Sequence, residues 1–300
     1  MRVVPARWSR MGTPASVGVR LAIPLALQVL CLAPCMPAEP VSPRFQEEML
    51  KQDGIYQSRG DKVPGGYITG RGLSKYTELL PSGFDAALRR LGPGDRWLDI
   101  GAGAGHAILD YYAPEYGRRR FGSKASAVAL SIEDRRTDLW RKQAATLAPN
   151  QIRYLHGKRL REYSNAELGK FRMITDVYGG FSYTENLSMF TEKVLTLLEL
   201  NGSFYSLLMS VRLDDGKDRP KTWYLTEIVD AAGRDLKVCA WLRSITCVKI
   251  VCESKSTADW PAQTELIHVS KVCNKTSVPA LEPVSYEAGS PPGRKFRLRQ

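Results

Sequence analysis

The chain has 300 residues, of which 43% are hydrophobic, 25% charged and 9% aromatic, and its formal net charge is +12. That balance suits a globular protein with a sizeable core and excludes a disordered, collagen-like or multi-span membrane protein, while six cysteines without a CxxC pair offer no structural zinc pattern. The surplus charge suggests nucleic acid, but residues 1–35 and 291–300 each carry four cationic and no acidic side chains, so most of it belongs to the ends and a nucleic-acid partner is not expected.

From the N-terminus, Arg2, Arg7, Arg10 and Arg20 accompany the apolar run 21–33, and Pro34-Cys35-Met36-Pro37-Ala38 follows. A basic region, a short apolar region and small residues make the pattern of a secretory signal peptide. Residues 1–38 are therefore expected to be a signal peptide or an unstructured leader. Pro24 and Pro34 work against a stable spanning helix, since each removes a helix hydrogen bond. An uncleaved anchor and an internal start at Met36 or Met49 stay open, and any membrane contact is expected through this segment. A cleaved leader implies export; a leader without a role implies the cytoplasm.

Residues 39–81 read as a polar N-terminal extension. It holds one short helix around 45–51 and a glycine-rich stretch, 65–72, that leads into 73–80. Residues 82–91 read as a helix capped by Ser82, with Phe84, Leu88 and Leu91 on one face. Strands then alternate with helices: strand 96–100, a glycine loop, helix 106–112, strand 125–132, helix 136–148, strands 152–156 and 171–175, helix 187–200, and strand 203–209 after the Asn201-Gly202 stop. Such alternation implies a parallel sheet covered on both faces. Beyond it the sequence predicts a polar loop at 214–221, a helix at 222–232, and two late strands at 246–252 and 266–272. Residues 276–300, with Pro291-Pro292-Gly293 and four basic residues, read as a flexible basic tail.

The most informative segment is Trp97-Leu98-Asp99-Ile100-Gly101-Ala102-Gly103-Ala104-Gly105-His106. Glycines at a strand-to-helix turn let the backbone approach a ligand closely. The spacing fails the dinucleotide pattern G-x-G-x-x-G in both registers, and no Gly-Lys-Ser/Thr closes a phosphate loop. The apolar-apolar-Asp-x-Gly-x-Gly-x-Gly pattern instead resembles the first motif of class I S-adenosylmethionine-dependent methyltransferases. The likeness extends over about residues 82–272: a second strand ends near acidic residues, a fourth runs into Asp176-Val177-Tyr178-Gly179-Gly180, and Leu197-Leu198-Glu199-Leu200-Asn201-Gly202 is similar to the step before the family's fifth strand.

The resemblance implies a Rossmann-like, doubly wound fold: a seven-stranded, mostly parallel sheet with an antiparallel last strand, helices on both faces, and a methyltransferase-like domain over 82–275. It implies S-adenosyl-L-methionine as cofactor and a methyl acceptor of unidentified, small-molecule or other, kind. Gly101, Ala102, Gly103 and Gly105 would pass beneath the methionine part, and Asp99 would position its amino group. An acidic side chain after the second strand would accept hydrogen bonds from the ribose hydroxyls, a task that suits an ionised carboxylate. Glu133 is preferred there over Asp134, and strict strand alignment offers Ser131. Two residues depart from the family pattern: Lys158 stands where an Asp often meets the adenine amino group, and Arg172 follows Phe171 where an Asp is usual.

Methyl transfer from a sulfonium needs in-line positioning and, for some acceptors, a base. Asp176 and Tyr178 leave the fourth strand where an acceptor would lie and are the catalytic candidates, with Tyr183 behind them. The alternative is that Asp176 caps the turn and Tyr178 packs. His268, on an apolar strand, reads as structural. The last third also holds Cys239, Cys247, Cys252 and Cys273. An oxidising compartment would permit disulfides among them, and buried free thiols fit the same apolar context. An exported domain that kept the fold as a non-catalytic binding protein is the competing functional reading.

Overall fold

Near-continuous apolar runs dictate the centre of the molecule. The computed structural model describes residues 42–57, 70–113, 125–209, 211–214, 221–257 and 260–299; the expected leader lies outside them. Strands β1 (Arg96–Ile100), β2 (Ser126–Leu130), β3 (Ile152–Leu155), β4 (Phe171–Val177) and β5 (Leu198–Met209) follow the predicted alternation. The order across the sheet is β3-β2-β1-β4-β5, and these five strands are parallel.

Alternate residues of each strand face opposite layers, so both faces must be covered. Leu98, Ile100, Ile174 and Phe204 join a core with α8 (Leu187–Leu197) and α9 (Val238–Arg243). Trp97, Met173, Tyr205 and Ala129 face a second core. That core includes α2 (Leu73–Leu79), α3 (Phe84–Arg89), α4 (His106–Tyr112) and α5 (Asp138–Thr146). Short helices α6 (Asn165–Leu168) and α7 (Gly180–Tyr183) flank β4. His268 stacks on Tyr205 at 4.3 Å and hydrogen bonds with Ser203 and Ser270, a structural residue as expected.

After β5 come the hairpin β6 (Val211–Asp214) and β7 (Lys221–Tyr224), then β8 (Thr226–Val229) and β9 (Asp235–Leu236). Next are β10 (Val248–Thr257) and β11 (Trp260–Lys271), which complete the large sheet in the order β3-β2-β1-β4-β5-β11-β10. Only β11 runs antiparallel to the first five, because two antiparallel steps return β10 to their direction. The result is a Rossmann-like, doubly wound, seven-stranded sheet.

Two expectations give way here. The helix expected at 222–232 is instead β7 and β8. Leu225, Ile228 and Val229 lie at helical spacing, but Ile228 and Val229 are paired in parallel with Phe296 and Arg297 about 70 positions away, and that distant partner overrides the local pattern. The flexible tail expected over 276–300 forms β12 (Leu281–Glu287) and β13 (Gly293–Leu298). These strands build a second sheet, ordered β12-β13-β8-β9. Arg294 and Phe296 alternate inward along β13, so period-two burial holds the segment in place.

Two further features tie this part of the fold together. Helix α1 (Pro43–Gln57), longer than expected, grips the β12–β13 turn: Glu48 and Gln52 accept hydrogen bonds from the amides of Ala288 and Gly289 at 2.8 and 3.0 Å. The four late cysteines pair as Cys239–Cys252 and Cys247–Cys273, with Cα separations of 6.5 and 4.9 Å.

Arg294 joins the second sheet to helix α7. It is 2% exposed and donates to the carbonyls of Phe181 and Thr184 at 2.9 Å and to the Thr226 hydroxyl at 2.7 Å. Burial lowers its guanidinium pKa to about 10, still charged at neutral pH. Replacing it with Met strips three acceptors of their donor, so Arg294→Met is expected to cost about 3 kcal/mol. Urea unfolding of the two proteins measures this, and a loss below about 1 kcal/mol would contradict the bridging role.

Candidate functional site

The carboxyl ends of β1 and β4 lie side by side where the strand order changes direction, the place where open α/β sheets bind ligands. Both strands leave through glycine turns. Gly101 and Gly103 have φ of +73° and +55°, a region costly for residues with a Cβ. A Cβ on Gly101 would lie 2.5 Å from the Gly179 Cα, and one on Gly179 would lie 2.5 Å from the Ile100 carbonyl oxygen. The two backbones therefore meet with no room for side chains.

Other groups lock this arrangement. Gly105 has φ +76°, and a Cβ there would meet the Trp140 ring at 2.4 Å, so helix α5 packs directly behind the loop. The Tyr154 hydroxyl on β3 donates to the Gly103 carbonyl at 2.5 Å and accepts from the Arg135 amide at 3.2 Å. Tyr178, in the left-handed region at φ +53°, turns the chain after β4 back over the cavity.

The two buried carboxylates do different work from that expected. Asp99 is fully enclosed, and strand alternation points it at the α2 layer. The Tyr76 hydroxyl donates to its two oxygens at 3.0 and 2.9 Å, and Thr175, itself accepting from the Trp97 indole at 2.8 Å, donates at 2.7 Å. Asp99 is thus an internal tie between β1, β4 and α2 and is absent from the cavity wall. Asp176, also fully buried, accepts from the amides of Gly179 and Phe181, each at 2.9 Å. It caps the turn after β4, the structural alternative raised for it, and does not face the cavity. Burial pushes both carboxyls up to about 7.

A cavity of about 330 Å³ opens above these turns, within the range of small-molecule sites. Gly101, Gly103, Ser131, Ile132 and Glu133 line its β1–β2 side, while Tyr178, Gly179 and Tyr183 line its β4 side. Ala102 and Gly105 support the loop from behind rather than lining the cavity. Of the two acidic candidates, only Glu133 is on the wall. Asp134 turns outward into a bidentate pair with Arg136 at 2.8 and 2.7 Å, which holds its carboxyl well below the usual range. Lys158 turns to Glu167 at 3.6 Å and to the Tyr163 ring, away from the cavity. Arg172 donates to the Leu200 carbonyl at 3.0 Å.

Several wall residues carry no signal in the sequence. Phe45, Met49 and Tyr56 of α1 close one side. They are held there by an Asp53–Arg159 ion pair and by Arg135 donating to the Tyr56 carbonyl at 3.2 Å. Arg71 donates to the Val177 carbonyl at 2.9 Å, with its guanidinium 5.8 Å from the Tyr178 ring centre. The ring pattern of α1 and the spacing of these cations point to nothing until the fold brings them together.

No protein-family model matches the chain, and no curated protein does. Solved structures similar to it include a Burkholderia thailandensis 1,6-didemethyltoxoflavin-N1-methyltransferase with bound S-adenosylhomocysteine, at 12% identity over 79% of this chain and 94% of that one, TM-score 0.44. Another is the Bradyrhizobium japonicum N-methyltransferase NodS, at 15% identity over 66% and 94%, TM-score 0.39. A third is TrmN from Thermus thermophilus, at 17% identity over 62% and 47%, TM-score 0.36. The fold itself is read from the strand order of this chain alone.

Two outcomes follow from the site's geometry. Gly101→Ala is expected to destabilise the fold by roughly 2–4 kcal/mol through backbone collision plus the left-handed penalty. Gly157→Ala, at φ +82° with nothing within 4 Å of a Cβ, isolates the penalty alone, about 1–2 kcal/mol. Equal losses in chemical unfolding would refute the close approach. The second outcome concerns pH. Asp99 and Asp176 hold their protons to about 7 when folded and lose them near 4 when unfolded. The folded state binds more protons between those values, so stability falls as pH rises from about 4 to 7. Asp99→Asn is expected to flatten part of that slope; an unchanged slope in melting experiments would contradict the assignment.

Proposed function

We propose that the chain is an S-adenosylmethionine-dependent methyltransferase acting on an acceptor yet to be identified. One observation carries the reading: the Gly101–Gly103 turn and the Glu133 carboxylate share a cavity wall at the strand-order switch. The residues fit the cofactor. Gly101 and Gly103 bring bare backbone to the cavity wall, Glu133 is half-buried and acceptor-only when ionised, and Ile132 and Leu160 supply apolar surface for a purine. With Lys158 turned away, apolar contacts and backbone groups are left to hold the base.

When bound, adenosylmethionine supplies a methyl group already activated on a sulfonium, which leaves the protein the task of alignment. Tyr178 and Tyr183 stand on the β4 side of the cavity and are the residues to orient an acceptor. Burial raises the Tyr183 phenol above its ordinary range, so at neutral pH it donates a hydrogen bond and does not take a proton. Asp176, committed to two backbone amides, is not the base in this reading.

The second reading, an exported binding protein that keeps the fold without the reaction, is favoured by the paired cysteines. Disulfides belong to oxidising compartments, whereas adenosylmethionine is a cytoplasmic metabolite.

Calorimetry with S-adenosylhomocysteine separates the two. Methyl transfer predicts one site per chain, lost in Gly103→Val and weakened about tenfold in Glu133→Ala, by analogy with the loss of a charged hydrogen-bond partner. Asp134→Ala is expected to leave the affinity within about twofold, since its partner is Arg136 and not the ligand. Absence of heat with both adenosylmethionine and its demethylated product would sink the enzyme reading and leave the binding protein.

A further inference from the structure

The large sheet ends at β10, whose outer side no other described strand covers. The direction of its backbone groups follows from one hydrogen bond. The Val272 amide donates to the Cys247 carbonyl at 2.8 Å, in register with the β10–β11 ladder. Hydrogen-bonded pairs alternate along an antiparallel ladder, so Lys249, Val251 and Glu253 direct their amides and carbonyls at β11. Val248, Ile250, Cys252 and Ser254 direct theirs outward. A row of outward groups on an edge strand is a template for pairing with another strand.

The side chains of β10 divide in the same alternation. Val248, Ile250 and Cys252 pack against the first core, and the Cys239–Cys252 disulfide joins this stretch to α9. Lys249, Val251 and Glu253 share the opposite face. Val251 is 40% exposed, a large apolar side chain on a strand edge, and Lys249 beside it is exposed. Glu253 accepts from the Ser82 amide and hydroxyl at 3.2 and 2.7 Å, which fixes its carboxylate at the rim. Edge strands are commonly blunted with charge, lysine above all, so that a second strand is kept away. Here the two charges are of opposite sign and stand two residues to either side of the exposed valine, a pattern complementary to itself under a two-fold axis.

We propose that β10 pairs antiparallel with β10 of a second copy of the chain about a two-fold axis through Val251, which joins the two large sheets into one. The outward groups of both strands meet in three registers near this point, and the charges choose among them. Centred on Ile250, Lys249 faces Val251 of the second copy and misses Glu253. Centred on Cys252, Lys249 faces Lys255 of the second copy and Val251 faces Glu253. Only centring on Val251 sets Lys249 of each copy against Glu253 of the other, twice by symmetry, with the two valines between them. Those valines then form a non-hydrogen-bonded pair, in which side chains approach most closely. Opposite charges directly across an antiparallel pair attract, and like charges repel. The contact is isologous and each chain offers one such rim, so association stops at two copies. No β10 residue lies on the cavity wall, and the inference stands apart from the methyl-transfer reading.

Sedimentation velocity of the full chain, over roughly 1–100 μM, is expected to show a monomer–dimer equilibrium. Lys249→Glu sets Glu against Glu across the axis, and Glu253→Lys sets Lys against Lys. Each is expected to raise the dimer dissociation constant about tenfold or more. The double swap Lys249→Glu with Glu253→Lys is expected to restore dimerisation. An equimolar mixture of the two single variants is expected to form the heterodimer, because there both cross-strand pairs are again of opposite sign. Ser254→Pro removes an outward donor without touching the β10–β11 ladder and is expected to weaken the dimer as well. Thermal melting checks that each variant is folded, and misfolded chains would not regain association on mixing. A monomer throughout, a dimer indifferent to the single variants, or single variants rescued neither by the double swap nor by mixing overturns the inference. Assembly beyond two copies, the sign of pairing with a different edge, overturns it as well.

Discussion

At the carboxyl ends of β1 and β4 two peptide backbones touch, and the rest of the site is arranged around that contact. Gly101 and Gly179 have room for hydrogen only, each against the backbone of the other turn. Holding two irregular turns at this distance exposes amides that must find acceptors. Asp176 provides two of them from inside the β4 turn, and the Tyr154 hydroxyl secures the β1 turn from β3. Tyr178 takes a left-handed conformation because the chain must reverse immediately after the strand. The cavity floor is thus bare backbone supported by buried side chains that never reach the cavity.

Strand alternation decides which acidic residues can serve a ligand. Successive β1 side chains face opposite layers, so Asp99 is directed at Tyr76 of α2 while Ile100 faces the cavity side. A carboxylate in that position, satisfied by two hydroxyls, is compatible with burial only as part of a closed network. The network in turn fixes α2, whose N-terminal amide at Leu73 is accepted by Asp110 of α4 at 2.7 Å. Arg71, two residues earlier, inherits its place over Tyr178 from that chain of contacts. Asp99 shapes the site by holding other residues and is not part of the cavity wall.

What could be read from the sequence was whatever depends on neighbours. The five parallel strands, the glycine loop and the helix after Asn186 follow from runs and spacings a few residues long. Residues 222–232 and 276–300 depart from their local patterns because their pairing is set by the sheet they share. The two segments meet in the parallel pairing of Thr226–Val229 with Arg294–Arg297, and β12 and β9 extend the same sheet on either side. Apolar spacing at 225, 228 and 229 favours a helix when taken alone, and Pro291-Pro292-Gly293 looks like the start of a loose end when it is a turn between strands. Half of the candidate site was legible in the same sense. Gly101, Gly103, Glu133 and Tyr178 lie beside strand ends, whereas the α1 wall and the arginines that hold it belong to no local pattern.

The distribution of charge shows how little a total says about chemistry. Of the basic residues near the C-terminus, Arg294 is enclosed and ties helix α7 to the second sheet, so a residue expected in a solvated end is structural. The cations that line the cavity are Arg71, Arg135, Arg159, Arg161 and Lys193, scattered over more than a hundred positions. No window of sequence makes them stand out. Helix α1 walls one side of the cavity through Phe45, Met49 and Tyr56. Helix α1 is anchored at one end by the β12–β13 turn and across its face by Arg135 and Arg159. Two of the cations on the wall therefore also hold α1 in place.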